Sequence, residues 1–208
     1  MEVVVDGKTG LMTPDDGTTF QAVLEALRRN ISSRRRVIVS FTLDGEKIDP
    51  DKLGEKADQP PGKFGLLEVK TADPFQFSVS TLSGLLTHLK NMEKAQEEAL
   101  EFAGKGEYAK TLEKAESLFY SWDILLRAVR DVGTLSTADL KTLDAGGATV
   151  DARIRELQDA LLRYAAAMEF KDVARIAELI QTEFRLRLHD WRTVIESLGR
   201  HVARTSSS

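Results

Sequence analysis

The sequence predicts an α+β protein: a small domain of strands and one helix over residues 1–72, then an antiparallel bundle of four long helices over residues 73–208. Three observations predict it. All five prolines (Pro14, Pro50, Pro60, Pro61 and Pro74) lie at or before the junction Asp73-Pro74, so the rest of the chain lacks the residue that breaks helices. The tight-turn pairs Asp6-Gly7 and Asp44-Gly45 fall in the same first third. Beyond it, the spacing of apolar residues changes from the two-residue alternation of strands to the rhythm of about 3.5 residues that marks helix seams.

In the first domain, Val3-Val4-Val5 reads as a strand, and Asp6-Gly7 as a turn needing positive φ. Gly10-Leu11-Met12 reads as the return strand, ending at Thr13-Pro14. Thr18 is the expected N-cap of a helix, with Gln21 as its capping-box partner, and Phe20, Val23, Leu24, Leu27 and Ile31 form its apolar stripe. Val37, Val39, Phe41 and Leu43 alternate with Ile38, Ser40 and Thr42, so the first set is expected to face the core. A short strand around Lys47-Ile48 follows, then a loop at Pro60-Pro61-Gly62 and a last strand carrying Leu66, Leu67 and Val69.

This order of elements resembles the β-grasp, or ubiquitin-like, fold. The helix entry Thr18-Thr19-Phe20-Gln21-Ala22-Val23, the strand-turn-strand Phe41 to Ile48 and the closing Leu66-Leu67-Glu68-Val69 carry the resemblance. It implies a helix packed on one face of a small mixed sheet, and a habit of binding other proteins through that sheet. Conjugated members end in a free Gly-Gly tail, whereas this chain runs on through Thr71-Ala72-Asp73-Pro74, so conjugation is not implied.

Four seams follow. Leu82, Leu85, Leu86, Leu89, Met92, Gln96, Ala99 and Ala103 line the first helix. Tyr108, Leu112, Ala115, Leu118, Phe119, Trp122, Leu125, Val129 and Val132 line the second. The third carries Val150, Ile154, Leu157, Leu161, Tyr164 and Met168; the fourth runs from Phe170 and Val173 through Ile180, Phe184 and Trp191 to Leu198. Gly104-Lys105-Gly106 separates the first pair, and Gly133 with Gly146-Gly147 marks a longer connection to the third helix. A shift of 62 residues places Gln96 on Gln158, Leu100 on Leu162, Tyr108 on Phe170 and Ala115 on Ala177. The bundle thus reads as two copies of a helical hairpin, with the second turn expected at Ala166–Met168.

The chemistry of most enzyme classes is missing. With no cysteine there is no thiolate metal site, disulfide or Cys nucleophile. The residues three before His88, His189 and His201 are Leu85, Leu186 and Leu198, so Glu-x-x-His metal spacing is absent. No phosphate-loop or Gly-x-Ser-x-Gly motif occurs. The row Glu93, Glu97 and Glu101, with Glu98 beside it, reads as a solvated face. No catalytic residue, metal or cofactor is expected. A net charge of −4, an early acidic residue and the absence of a long apolar run point to a soluble, cytoplasmic protein that avoids membranes.

Two features point outward. Arg28, Arg29, Arg34, Arg35 and Arg36 cluster at a helix end and the next strand start, a candidate contact for an anion or acidic partner. The second long helix carries Phe119, Tyr120, Trp122, Ile124, Leu125 and Leu126, and the fourth has Leu186 beside Leu188, so both have apolar residues on more than one face. Phe119, Tyr120, Leu126 and Leu186 are the candidate partner-binding residues, for another protein or a second copy of this chain. In class, the helical half is similar to the small acidic secretion chaperones of the flagellar type, which implies a groove for a partner helix. The leading functional expectation is a non-enzymatic interaction protein: an adaptor, assembly factor or chaperone. An enzyme or ligand binder with an interdomain site is the first alternative. Nucleic-acid binding through the arginines ranks last, because no aromatic residue is interleaved for base stacking.

Overall fold

A computed structural model describes residues 1–10, 12 and 18–205. It divides into two compact units, Met1–Phe77 and Ser78–Ser208.

The first unit holds a four-stranded mixed sheet. Strand β1 (Glu2–Val5) is followed by helix α1 (Phe20–Ser33), then β2 (Val37–Leu43) and β3 (Glu46–Ile48). A single helical turn, α2 (Pro50–Leu53), precedes β4 (Leu66–Ala72). The order across the sheet is β1-β4-β2-β3, with β1 parallel to β4 and the other pairs antiparallel. Val3, Val5, Phe41, Leu43, Leu67 and Val69 on the sheet pack with Phe20, Val23, Leu24, Leu27 and Ile31 of α1 in one core, closed by Phe64 against the Phe20 ring at 4.8 Å. A single helix on one sheet face is the arrangement the β-grasp resemblance implies.

Four local expectations change. The turn at Asp6-Gly7 forms, with φ of 50° and 77° and reciprocal Val5–Lys8 backbone bonds of 2.9 and 3.0 Å. Among the described residues, pairing beyond it is a single bridge at Lys8. Gly10 and Met12 are not in a strand, and Leu11 and Thr13–Pro14 lie outside the described residues. The N-cap of α1 is Thr19, not Thr18: its hydroxyl accepts from Ala22 N at 3.3 Å. Gln21 makes no capping box. Its amide donates to Glu25, while the first-turn N–H groups of Phe20 and Gln21 reach Gln59 and Ala57 carbonyls. In β2 a bulge falls between Ile38 and Ser40. A bulge inserts one unpaired residue and reverses the alternation, so Ile38 packs on the core and Val39 points out, 46% exposed.

Helix α3 (Pro74–Gly104) starts with proline at its first position, where the missing N–H costs nothing, and the Asp73 carboxylate accepts from Gln76 N at 3.0 Å. The boundary between the units falls in this first turn, five residues beyond the boundary expected at 72/73. Helices α4 (Tyr108–Leu135), α5 (Val150–Glu169), α6 (Val173–Leu179) and α7 (Arg185–Thr205) complete the second unit. Between α6 and α7, Ile180–Phe184 form a π-helical turn, so α6 to α7 is one continuous helical rod and the fourth of the bundle. The reason is visible in the spacing. Ile176, Ile180, Phe184 and Leu188 recur every four residues. In an α-helix of 3.6 residues per turn such a series drifts about 40° per step. The wider π turn resets the drift and keeps all four buried.

The helices alternate in direction. Glu98 meets Lys114 and His88 meets the Ser121 carbonyl across α3 and α4. Arg163 meets Glu183 and Arg153 meets Asp190 across α5 and the fourth rod. Trp122, Trp191, Tyr164 and Phe184 form an aromatic centre, with Trp122–Phe184 at 5.7 Å, Trp122–Trp191 at 6.4 Å and Tyr164–Phe184 at 5.0 Å.

The hairpin repeat appears as turn geometry, at a different shift. Gly106 has φ of 72° and Lys171, 65 residues later, has φ of 51°. The same bonds close both turns: Glu107 N to Phe102 O and Gly106 N to Ala103 O in the first, Asp172 N to Ala167 O and Lys171 N to Met168 O in the second. The second turn therefore lies at Lys171 rather than Ala166–Met168. Its left-handed position carries a lysine where the first carries glycine, which removes the signal a sequence reader uses. Gly133 likewise is no linker. It sits in the last turn of α4, where a Cβ would lie 2.9 Å from the Leu140 side chain.

Candidate interaction surfaces

The outward apolar residues expected on the bundle divide sharply. Leu126 is 5% exposed and belongs to the core, which removes it from the candidate surface. Phe119 is half-buried, its ring 6.5 Å from Tyr164 and 6.2 Å from Tyr120. Tyr120 is 59% exposed and Leu186 is 68% exposed, as a partner-facing role requires. Ile124, one turn beyond Tyr120 on α4, is also exposed. The seam expected from periodicity includes Tyr108 and Phe170, yet both rings are largely in solvent, Phe170 at 80%. Leu162 on α5 is exposed as well. Single exposed apolar residues are ordinary, but seven among the described residues of one bundle, with Val79 of α3 included and three of them aromatic, are a surplus.

Tyr108 and Phe170 stand at the two hairpin turns. Beside Tyr108 a cleft of about 700 Å³ opens, lined also by Leu100 and Ala103 of α3 and by Val173, Ala174 and Ala177 of α6. Ala103, Gly104, Ala174 and Ala177 leave part of its wall low, so another backbone can come close, as small residues allow at helix contacts. Lys171, Asp172 and Gln181 provide polar groups at its edge. Asp172 is committed to capping α6, accepting from Arg175 N at 3.0 Å. One turn further along the α3 stripe, Gln96 is buried and its Nε2 has no hydrogen-bond partner.

Several charged side chains on the bundle are paired with one another. Glu98 accepts from Lys114 at 2.7 Å, and that hydrogen bond, more than the charge itself, holds its carboxyl below the usual range. Glu101 pairs with Lys105 and Glu107 with Lys110. Glu93 and Glu97 face water, so the carboxylate row is a solvated face. His88 and His201 bond the Ser121 and Ser136 carbonyls, each at 3.1 Å. His189 is exposed. Burial pushes the Tyr164 hydroxyl pKa upward, and it stays protonated to donate to Ala115 O at 3.3 Å. Among the described residues no group of three or more metal-ligating side chains converges, and no helix is long and apolar enough to cross a membrane.

The Glu183 bridge gives a pH dependence. Arg163 grips Glu183 at 3.2 and 2.5 Å, with Arg187 at 3.6 Å, and the Arg163 hydrogen bonds lower the Glu183 pKa from its ordinary 4.5. A depressed folded-state pKa adds stability that is complete above the unfolded value and is lost as pH falls through the folded one. Glu183→Gln is therefore expected to cost roughly 0.5–1 kcal/mol at pH 7, reduced by solvent at the half-exposed Arg163. The gap to the unsubstituted protein should close below pH 4.5, as followed by urea denaturation across pH. A gap independent of pH would mean the ion pair is not its source.

The arginine cluster does not act as one patch. Arg36 is fixed to β4: its Nε donates to Thr71 Oγ1 at 2.5 Å and its Nη2 to Thr71 O at 3.0 Å, with Asp6 at 3.6 Å. Arg28 borders a separate hollow with Gln21, Glu25 and Leu53. Arg34 shares a pocket with Lys8, Asn30 and Arg36. Arg29 and Arg35 are exposed, and Arg35 adopts a left-handed φ of 54°. Lys8 carried no sequence signal, because it enters the cluster only when β1 and its turn are placed beside the end of α1.

No protein-family model, curated protein or solved structure matches the chain.

Proposed function

We propose that this protein is a non-enzymatic interaction module of the adaptor, assembly-factor or chaperone kind, whose helical bundle receives an amphipathic helix from another protein. The observation that carries this reading is the apolar cleft of about 700 Å³ at the hairpin turns, bordered by the exposed ring of Tyr108. A helix docks by placing side chains at i, i+3, i+4 and i+7 into such a groove. The short side chains Ala103, Ala174 and Ala177 let its backbone approach, while the Tyr108 ring supplies large area for little entropy. The absence of cysteine and of paired histidines, and the exposure of the Glu93, Glu97 and Glu101 row to water, support a binding role over a catalytic one.

Photo-crosslinking from a benzoylphenylalanine placed at position 108 tests the reading. The expected product is one dominant adduct whose crosslinked peptide is an amphipathic helix of a different protein. Adducts only to a second copy of the chain would replace the partner with self-association, and their absence would remove the cleft as a docking site.

A further inference from the structure

We propose that the pocket between the β1 turn and the end of α1 is a receptor for a phosphate group. It encloses about 310 Å³, on the order of ten water volumes, and is lined by Lys8, Arg34, Arg36, Asn30, Asp6 and Thr71. Three cations and one carboxylate converge there, a net charge of +2 that a phosphate dianion neutralises. Among the described residues, Lys8 and Arg34 make no ion pair, so both charges are available. Arg36 is anchored through Nε and Nη2 on Thr71 and Asp6. Among the described residues its Nη1 has no partner, and it belongs to the planar fork that suits phosphate oxygens.

The one carboxylate does not spoil the site, because its oxygens are already taken. Asp6 accepts from Thr71 N at 2.8 Å and from Thr71 Oγ1 at 2.6 Å, and these hydrogen bonds, ahead of the nearby Arg36 and Lys8 charges, hold its pKa below 3.8. It acts as the post that fixes Arg36. The negative end of the α1 dipole is blunted too: the Ile31 carbonyl receives Arg34 N and Arg36 N, and the Ser32 carbonyl receives Arg35 N. Nucleic acid would need rings to stack its bases, and the exposed aromatic rings among the described residues all lie in residues 78–208. The site therefore fits an isolated phosphate group, free or carried on a small ester.

The test is an amide NMR titration of the full chain with inorganic phosphate, against sodium chloride of equal ionic strength. Saturable shifts at Lys8, Asn30 and Thr71 are expected with phosphate only. Lys8→Gln with Arg34→Gln, both exposed positions, should weaken binding at least about tenfold with the rest of the spectrum unchanged, while Arg29→Ala should bind as the unsubstituted protein does. A parallel titration with phosphoserine separates the sources: equal affinity identifies free phosphate, tighter binding a phosphorylated side chain. Shifts that fail to saturate, that chloride reproduces, or that persist at the same affinity in the double variant overturn the proposal.

Discussion

Trp122→Ala is expected to cost the helical bundle about 3–5 kcal/mol, as large-to-small changes at fully buried aromatic residues do. Trp122 is fully buried and lies within ring-contact distance of both Trp191 and Phe184. Removing it opens a cavity where α4 faces the fourth rod, and the nearest groups are rings that cannot flow into the gap. A domain is stable by only about 5–15 kcal/mol, so the loss takes a large share. Chemical denaturation followed by far-ultraviolet circular dichroism reads it directly. A cost below about 1 kcal/mol would show that the aromatic centre does not hold the bundle.

The second large effect separates two residues of α4 that a sequence reader treats alike. Leu126→Asp buries a carboxylate among apolar side chains with no partner, a change worth several kcal/mol, and the bundle is expected not to fold. Tyr120→Asp places the same carboxylate in water and should leave the melting temperature within a few degrees. Tyr120, Ile124 and Leu186 then remain as the testable outer face, and loss of a partner on Tyr120→Asp reports binding rather than folding. Circular dichroism on both variants checks the contrast. A folded Leu126→Asp protein, or an unfolded Tyr120→Asp protein, would mean that α4 faces the other way.

That contrast shows what a one-dimensional reading holds. Periodicity found the helices, the buried stripe from Leu118 through Trp122 to Val129, and the change of architecture at Asp73-Pro74, because those depend on local spacing. It could not say which flank of a stripe a neighbouring helix covers. Leu126 and Tyr120 are both apolar and both off the seam, and only the placement of the other helices buries one of them. The bulge that turns Val39 outward leaves no mark, since Val37, Ile38 and Val39 suit either face. The second hairpin turn leaves no mark at its true place, because Lys171 adopts a left-handed conformation without glycine. The cleft was invisible for a related reason: alanines read as good helix formers, and nothing in their spacing says that two hairpin ends stand apart. The arginine cluster was legible as charge, but its division among separate sites, and the entry of Lys8, depend on the sheet.

The measurement that bears most directly on the docking cleft is the affinity of the crosslinked helix, as a synthetic peptide, for the protein and for Ala174→Glu. Ala174 lines the cleft and is exposed, so a glutamate there fills the groove without touching the core. Binding in the micromolar range or tighter is expected for the unsubstituted chain, about −8 kcal/mol, and at least about tenfold weaker binding for the variant at unchanged melting temperature. Equal affinity in the two proteins would contradict a helix seated between the hairpin turns.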